Sequence, residues 1–197
     1  ACDLKLPRAR FRQDSHNPLK NTLGALWRLD YANASYYYKK GSVMQKLIGQ
    51  FKYKNRKEIG SQLAETMAND ICKTTYLKAI DVVIPVPLHP SKMLQRGFNQ
   101  SEVIAEVIAK RINKPIELER LNRIKVTSTQ TRMGRFVRWK NVEQVFHVSD
   151  PSTLSGKHIL LIDDVFTTGA TIAGCLKVLN EVSDIKMSVA TIAYADY

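Results

Sequence analysis

The residues best suited to chemistry stand together in Asp163-Asp-Val-Phe-Thr-Thr-Gly-Ala-Thr171, where two carboxylates precede three hydroxyls and one glycine. Carboxylates are hard oxygen ligands, fitted to grip spaced hydroxyls or a hydrated Mg²⁺. Alternation along an extended chain sends Asp163 and Asp164 to opposite sides, which makes them a poor proton-sharing dyad. Thr167, Thr168 and Thr171 supply hydroxyls beside a run of backbone amides from Val165 and Phe166 through Ala170. Such a run at a helix start is a ready anion site, because its amides are unpaired and the helix dipole favours negative charge. Gly169 permits positive φ and close backbone approach. The combination predicts a ligand with a phosphate at one end and vicinal hydroxyls nearby, such as ribose 5-phosphate.

Those residues need a scaffold that ends at the right place. Ile159-Leu-Leu-Ile162 is a continuous apolar run, read as part of a buried strand over Ile159–Asp163, with a helix over Thr168–Val182 and a further strand over Met187–Ala193. In a second strand, Asp81–Val86, Pro85 together with the following Pro87 and Pro90 forbids a continuing ladder or helix, which predicts a loop through Gly97 before a helix capped by Asn99 and Glu102. Arg96 and Gly97 beside that helix start form a second candidate anion site. Repeated strand–loop–helix units give an α/β class: a mostly parallel open sheet flanked by helices. Residues 1–40, with an extended segment at Tyr31–Tyr38, are expected to form a small N-terminal cap over an α/β domain at 41–197. Helices are expected around Val43–Phe51 and Ile59–Ile71, and the basic edge from Lys46 to Lys57, Lys52 included, is either solvated or attracts phosphates. Short strands are expected at 116–120 and 143–148, and the polar segment 127–135 reads as a loop over the site.

The totals exclude several classes. A surplus of +12, from 30 basic and 18 acidic residues, favours an anionic partner. Cys2, Cys72 and Cys175 are too few and too scattered for a disulfide framework or a complete metal site. The chain has neither G-x-x-x-x-G-K-[ST] nor G-x-G-x-x-G, against a P-loop or a dinucleotide fold, and its histidines form no i, i+4 pair. No apolar run approaches the roughly 20 residues of a membrane span, and the first residues carry no signal-peptide core, which places the protein in the cytoplasm.

Ile159-Leu-Leu-Ile-Asp-Asp-Val-Phe-Thr-Thr-Gly-Ala-Thr171 resembles the phosphoribosyl-pyrophosphate signature of type I phosphoribosyltransferases. Pro85-Val-Pro-Leu-His-Pro90, Arg96-Gly-Phe-Asn-Gln100 and Gln130-Thr-x-Met-x-x-x-x-Arg138-x-x-Asn141-Val142 are similar to the ComF (competence protein F) family. The resemblance implies a type I phosphoribosyltransferase fold that binds 5-phosphoribosyl 1-pyrophosphate with Mg²⁺ and transfers phosphoribose to a nitrogen nucleophile. It implies that Asp163 and Asp164 hold the ribose 2′- and 3′-hydroxyls, with Mg²⁺ at or near them, and that Thr167–Thr171 bind the 5-phosphate. It places Arg96 and Gly97 in the pyrophosphate-side loop and residues 127–138 in a closing loop. Arg138 matches the family's own arginine there, whereas Arg132 and Arg135 are candidates on charge alone. It also implies a role in DNA uptake, with single-stranded DNA or a helicase-type protein as partner, and dimers are common for the fold. ComF proteins commonly open with a four-cysteine zinc ribbon; with Cys2 alone, no zinc is expected here.

Overall fold

The structure is a computed structural model that describes residues 6–9, 11, 17–124 and 145–195. Four strands build its centre: β1 (Tyr31–Tyr38), β2 (Val82–Pro85), and two later ones numbered after the intervening ribbon, β5 (His158–Phe166) and β6 (Lys186–Ala195). They pair in the order β1-β6-β5-β2, every pair parallel. The ribbon is antiparallel, β3 (Leu121–Arg123) with β4 (Phe146–Val148). The helices are α1 (Pro18–Gly24), α2 (Val43–Tyr53), α3 (Lys57–Cys72), α4 (Pro90–Arg96), α5 (Gln100–Ile112) and α6 (Ala170–Leu179). The expected class, a mostly parallel sheet flanked by helices, is what folds.

Alternation along β5 divides the core between two faces. Leu160 and Ile162 pack with Met44, Ile48, Phe51, Met67 and Ile108 of α2, α3 and α5. Ile159 and Leu161 pack with Leu19 and Leu23 of α1 and Ile172, Cys175 and Leu176 of α6. Ile159, Leu160, Leu161 and Ile162 are all wholly buried, which is why that run lacks any polar position. Pro85 belongs to β2 because its missing N–H costs nothing there: Val83 donates outward to Pro115 and Val86 inward to Ile162, so position 85 would face the outer side.

Several expectations change. The stretch expected as a cap supplies α1 and the sheet's edge strand β1, whose Tyr31, Ala32 and Ala34 are buried, so residues 17–38 share the core of the α/β layer. The span expected as a loop after Pro87 contains α4, because Pro90 falls at the first helical position, where its ring is pre-set and no amide is missed; the His89 ring caps the turn by accepting from Ser91 N at 3.2 Å. The strand expected at 116–120 is reduced to a bridge between Ile116 and Val83, and pairing resumes at Leu121. At the other strand, Phe146–Val148 pair as expected, while 143 and 144 lie outside the described residues. Helix α6 starts at Ala170 because Gly169 takes φ 78° as its cap, and it ends at Leu179 before Val182. Among the described residues, no helix is long and apolar enough to cross a membrane.

The α2–α3 corner rests on a close approach. A Cβ at Gly60 would intrude into the ring of Phe51, which is itself buried and lies 5.7 Å from the Phe98 ring. Gly60→Ala would gain about 1 kcal/mol in helix propensity but lose about 1–3 kcal/mol to overpacking. A net loss of stability is expected in urea denaturation; a more stable variant would contradict this packing.

Candidate functional site

The β2 ladder with β5 ends at Pro85–Ile162, while the β6 ladder continues to Phe166. Asp163 is thus the first residue of β5 without a strand on one side, and a crevice opens there at the carboxyl ends of the strands, the usual ligand position in open α/β sheets. A cavity of about 200 Å³ fills it, lined by Asp163, Asp164, Thr167 and Thr171 together with Ser101, Lys52, Lys92, Arg96 and Arg123.

The two aspartates take different partners, as alternation requires. Asp163 Oδ1 accepts from Ser101 Oγ at 3.0 Å and from the Asp164 amide at 2.8 Å. Asp164 is bound by Lys52 Nζ, 2.9 Å from Oδ1 and 2.8 Å from Oδ2. The pair is nonetheless within mutual electrostatic range. Burial, and then the charge of Asp164, push the Asp163 carboxyl up to about 7. Ser101 presents its hydroxyl from the first turn of α5, whose cap Asn99 also donates to Val86 O at 3.1 Å and so ties the helix start to the end of β2.

The hydroxyl loop follows directly. Gly169 has φ 78°, and a Cβ there would come within 2.6 Å of the Phe166 ring, so both conformation and space call for glycine. Phe166 stacks on Tyr194 of β6, which anchors the loop's root. Thr167, Thr168, Ala170 and Thr171 are exposed. Asp163, Val165, Phe166, Thr167, Gly169, Ala170 and Thr171 line a small hollow of about 20 Å³, which shares Asp163, Val165, Thr167 and Thr171 with the lining of the larger cavity.

Arg96 closes α4 and lines the cavity; its guanidinium donates to Gln100 Oε1 at 2.6 Å and lies over the Tyr53 ring. Gly97 supplies the left-handed cap, φ 75°, that turns the chain toward α5, and it is not among the residues lining the cavity. Arg132, Arg135, Arg138 and the rest of 127–138 lie outside the described residues. Sequence reasoning missed Lys92, Ser101 and Arg123, and it placed Lys52 on a general basic edge. Arg123, on β3, lies over the Phe146 ring at 5.2 Å, and burial lowers its guanidinium from the ordinary value. The Nε atoms of Arg96, Arg120 and Arg123 are buried without a hydrogen-bond partner among the described residues.

A Mg²⁺ fits this donor set in one manner. No group of three or more His, Cys, Asp or Glu stands together among the described residues, so there is no all-protein cage. Mg²⁺ instead commonly uses one or two carboxylates plus substrate phosphates and water, which Asp163 and Asp164 could provide.

The raised carboxyl has a stability consequence. Asp163 holds its proton up to about 7 when folded, against the ordinary 3.8. Between those values the folded state binds more protons than the unfolded one, so this group's contribution to stability falls as pH rises from about 4 to about 7. Asp163→Asn removes the loss. Its stability relative to wild type, measured by urea denaturation, is expected to be higher at pH 7.5 than at pH 4; a pH-independent difference would contradict the assignment.

No family model matches the chain. It is 32% identical over 136 residues to DNA utilization protein YhgH of Escherichia coli O157:H7, an alignment covering 68% of this chain and 59% of that protein. It is 28% identical over 153 residues to competence protein F of Haemophilus influenzae, covering 76% and 67%, and 31% identical over 142 residues to competence protein ComFC of Bacillus subtilis, covering 71% and 55%. The chain thus spans little more than half the length of several curated relatives it matches. Solved structures that it resembles include adenine phosphoribosyltransferase of Leishmania tarentolae, at 13% identity over 74% of each chain with a TM-score of 0.46. Another is glutamine phosphoribosylpyrophosphate amidotransferase of Bacillus subtilis, at 17% identity over 71% of this chain and 30% of that one, with a TM-score of 0.48. The chain is thus similar, over 68% to 76% of its length, to proteins named competence protein F, competence protein ComFC and DNA utilization protein YhgH.

Proposed function

We propose that this protein binds 5-phosphoribosyl 1-pyrophosphate and transfers its phosphoribosyl group to a nitrogen nucleophile. The observation that carries this reading is the continuity of the aspartate pair with the Thr167–Thr171 hollow along one cavity wall. Vicinal hydroxyls would donate to Asp163 and Asp164 while the 5-phosphate accepts from the α6 amides and the threonine hydroxyls. Pyrophosphate would lie toward Arg96, Lys92 and Arg123, whose charges offset that of the leaving group.

In the reaction the bond from ribose C1 to pyrophosphate breaks, a bond from C1 to nitrogen forms, and the nitrogen gives up a proton. Mg²⁺ held near the aspartates would neutralise part of the pyrophosphate charge. The chain's own contribution is to position the sugar and to supply fixed cations to the departing group, without reorganisation at the moment of reaction. No side chain of the site is assigned as base. The expected test is a calorimetric titration of phosphoribosyl pyrophosphate with Mg²⁺ into wild type and into Asp163→Asn/Asp164→Asn. Binding by wild type and a loss of about tenfold or more in the double variant are expected; absence of binding by the wild type would sink the reading.

A second reading is favoured by the +12 surplus and by the names competence protein F and DNA utilization protein that relatives carry. In it the protein is a DNA-uptake accessory whose basic surface follows single-stranded DNA or meets a helicase-type partner. Backbone contacts release counterions, so affinity for an oligonucleotide must fall steeply with salt. A flat salt response in a fluorescence titration would exclude that reading.

A further inference from the structure

Lys52 stands in the last turn of α2, and its ammonium faces both carboxylate oxygens of Asp164, at 2.9 Å and 2.8 Å. The side chains are 19% and 10% exposed, so solvent screens this pair less than a surface one. Among the described residues, no other lysine, arginine or histidine lies within ion-pair distance of Asp163 or Asp164. Arg96 and Arg123 line the same cavity, yet they are oriented by Gln100 and Tyr53 in one case and by Phe146 in the other. Lys52 is also firmly placed: the preceding Phe51 is wedged between Gly60 of α3 and the Phe98 ring.

An ammonium has three donors. One is directed at Asp164 Oδ1, which leaves others for the cavity that Lys52 lines. A hydrated divalent ion at Asp164 would have to compete with this resident charge for the same oxygens.

We propose that Lys52 is a positioning residue, the built-in counter-ion of Asp164, which aims that carboxylate at the ligand and lets a ribose phosphate monoester bind without a divalent cation. The inference rests on the ribose-phosphate reading above and deepens it. Any divalent requirement then belongs to the pyrophosphate portion of the substrate, whose charge Lys52 does not face.

The test is a calorimetric titration of ribose 5-phosphate into the full chain, first with EDTA and then with Mg²⁺, for wild type, Lys52→Arg, Lys52→Met and Lys52→Gln. Thermal unfolding of each unliganded protein establishes which variants fold, and either neutral variant suffices for the comparison. Wild type is expected to bind in both conditions with affinities within about twofold. The neutral variants are expected to bind about tenfold more weakly in EDTA and to recover with Mg²⁺, while Lys52→Arg keeps most of the wild-type affinity in EDTA. Equal binding by wild type and a folded neutral variant in EDTA overturns the inference and leaves the ribose-phosphate reading standing. So does wild-type binding that needs Mg²⁺. No binding by wild type in either condition overturns both.

Discussion

The ladders on both edges of β5 constrain everything else at the site. Ile159–Ile162 are hydrogen-bonded to β2 on one side and β6 on the other, with both faces covered by helices. Burying aliphatic side chains of this kind stabilises by about 1.5–3 kcal/mol each, far more than a surface ion pair contributes. The strand is therefore rigid up to Ile162, and the point where β2 stops pairing sets where polar chemistry can begin. Asp163 and Asp164 stand at that step, held by the packing behind them.

Placing two carboxylates there is costly, and the surrounding charges show how the cost is met. One acid is ion-paired with Lys52 and the other is driven toward its neutral form by burial and by its neighbour's charge. Lys92, Arg96 and Arg123 line the rest of the cavity, so its lining carries more positive than negative charge. Of the three guanidinium Nε atoms buried without partners among the described residues, those of Arg96 and Arg123 belong to residues that line the cavity.

Much of this was legible in the sequence because β5 and the loop after it are local: an unbroken aliphatic run, paired acids, threonines and a glycine whose φ is confirmed at 78°. Arg96 was legible as well, being close in sequence to the helix start it serves. Lys52 and Ser101 come to Asp164 and Asp163 across 112 and 62 residues, and Arg123 arrives from a three-residue strand; no periodicity encodes such approaches. Residues 17–38 were misread for a related reason. Tyr-rich β1 pairs in parallel with the last strand of the chain, so its place in the sheet depends on a partner more than a hundred residues away. Pro90 misled in the opposite sense, since proline breaks a helix interior but favours a helix start.

The central claim is that one cavity reads a phosphate and a sugar diol together. The most direct measurement is the dissociation constant of ribose 5-phosphate set against those of inorganic phosphate and of ribose, at fixed salt and pH. Engagement of both ends predicts that ribose 5-phosphate binds about tenfold or more tightly than either fragment. Equal affinity for inorganic phosphate would contradict the account, reducing the site to a basic surface that attracts any anion.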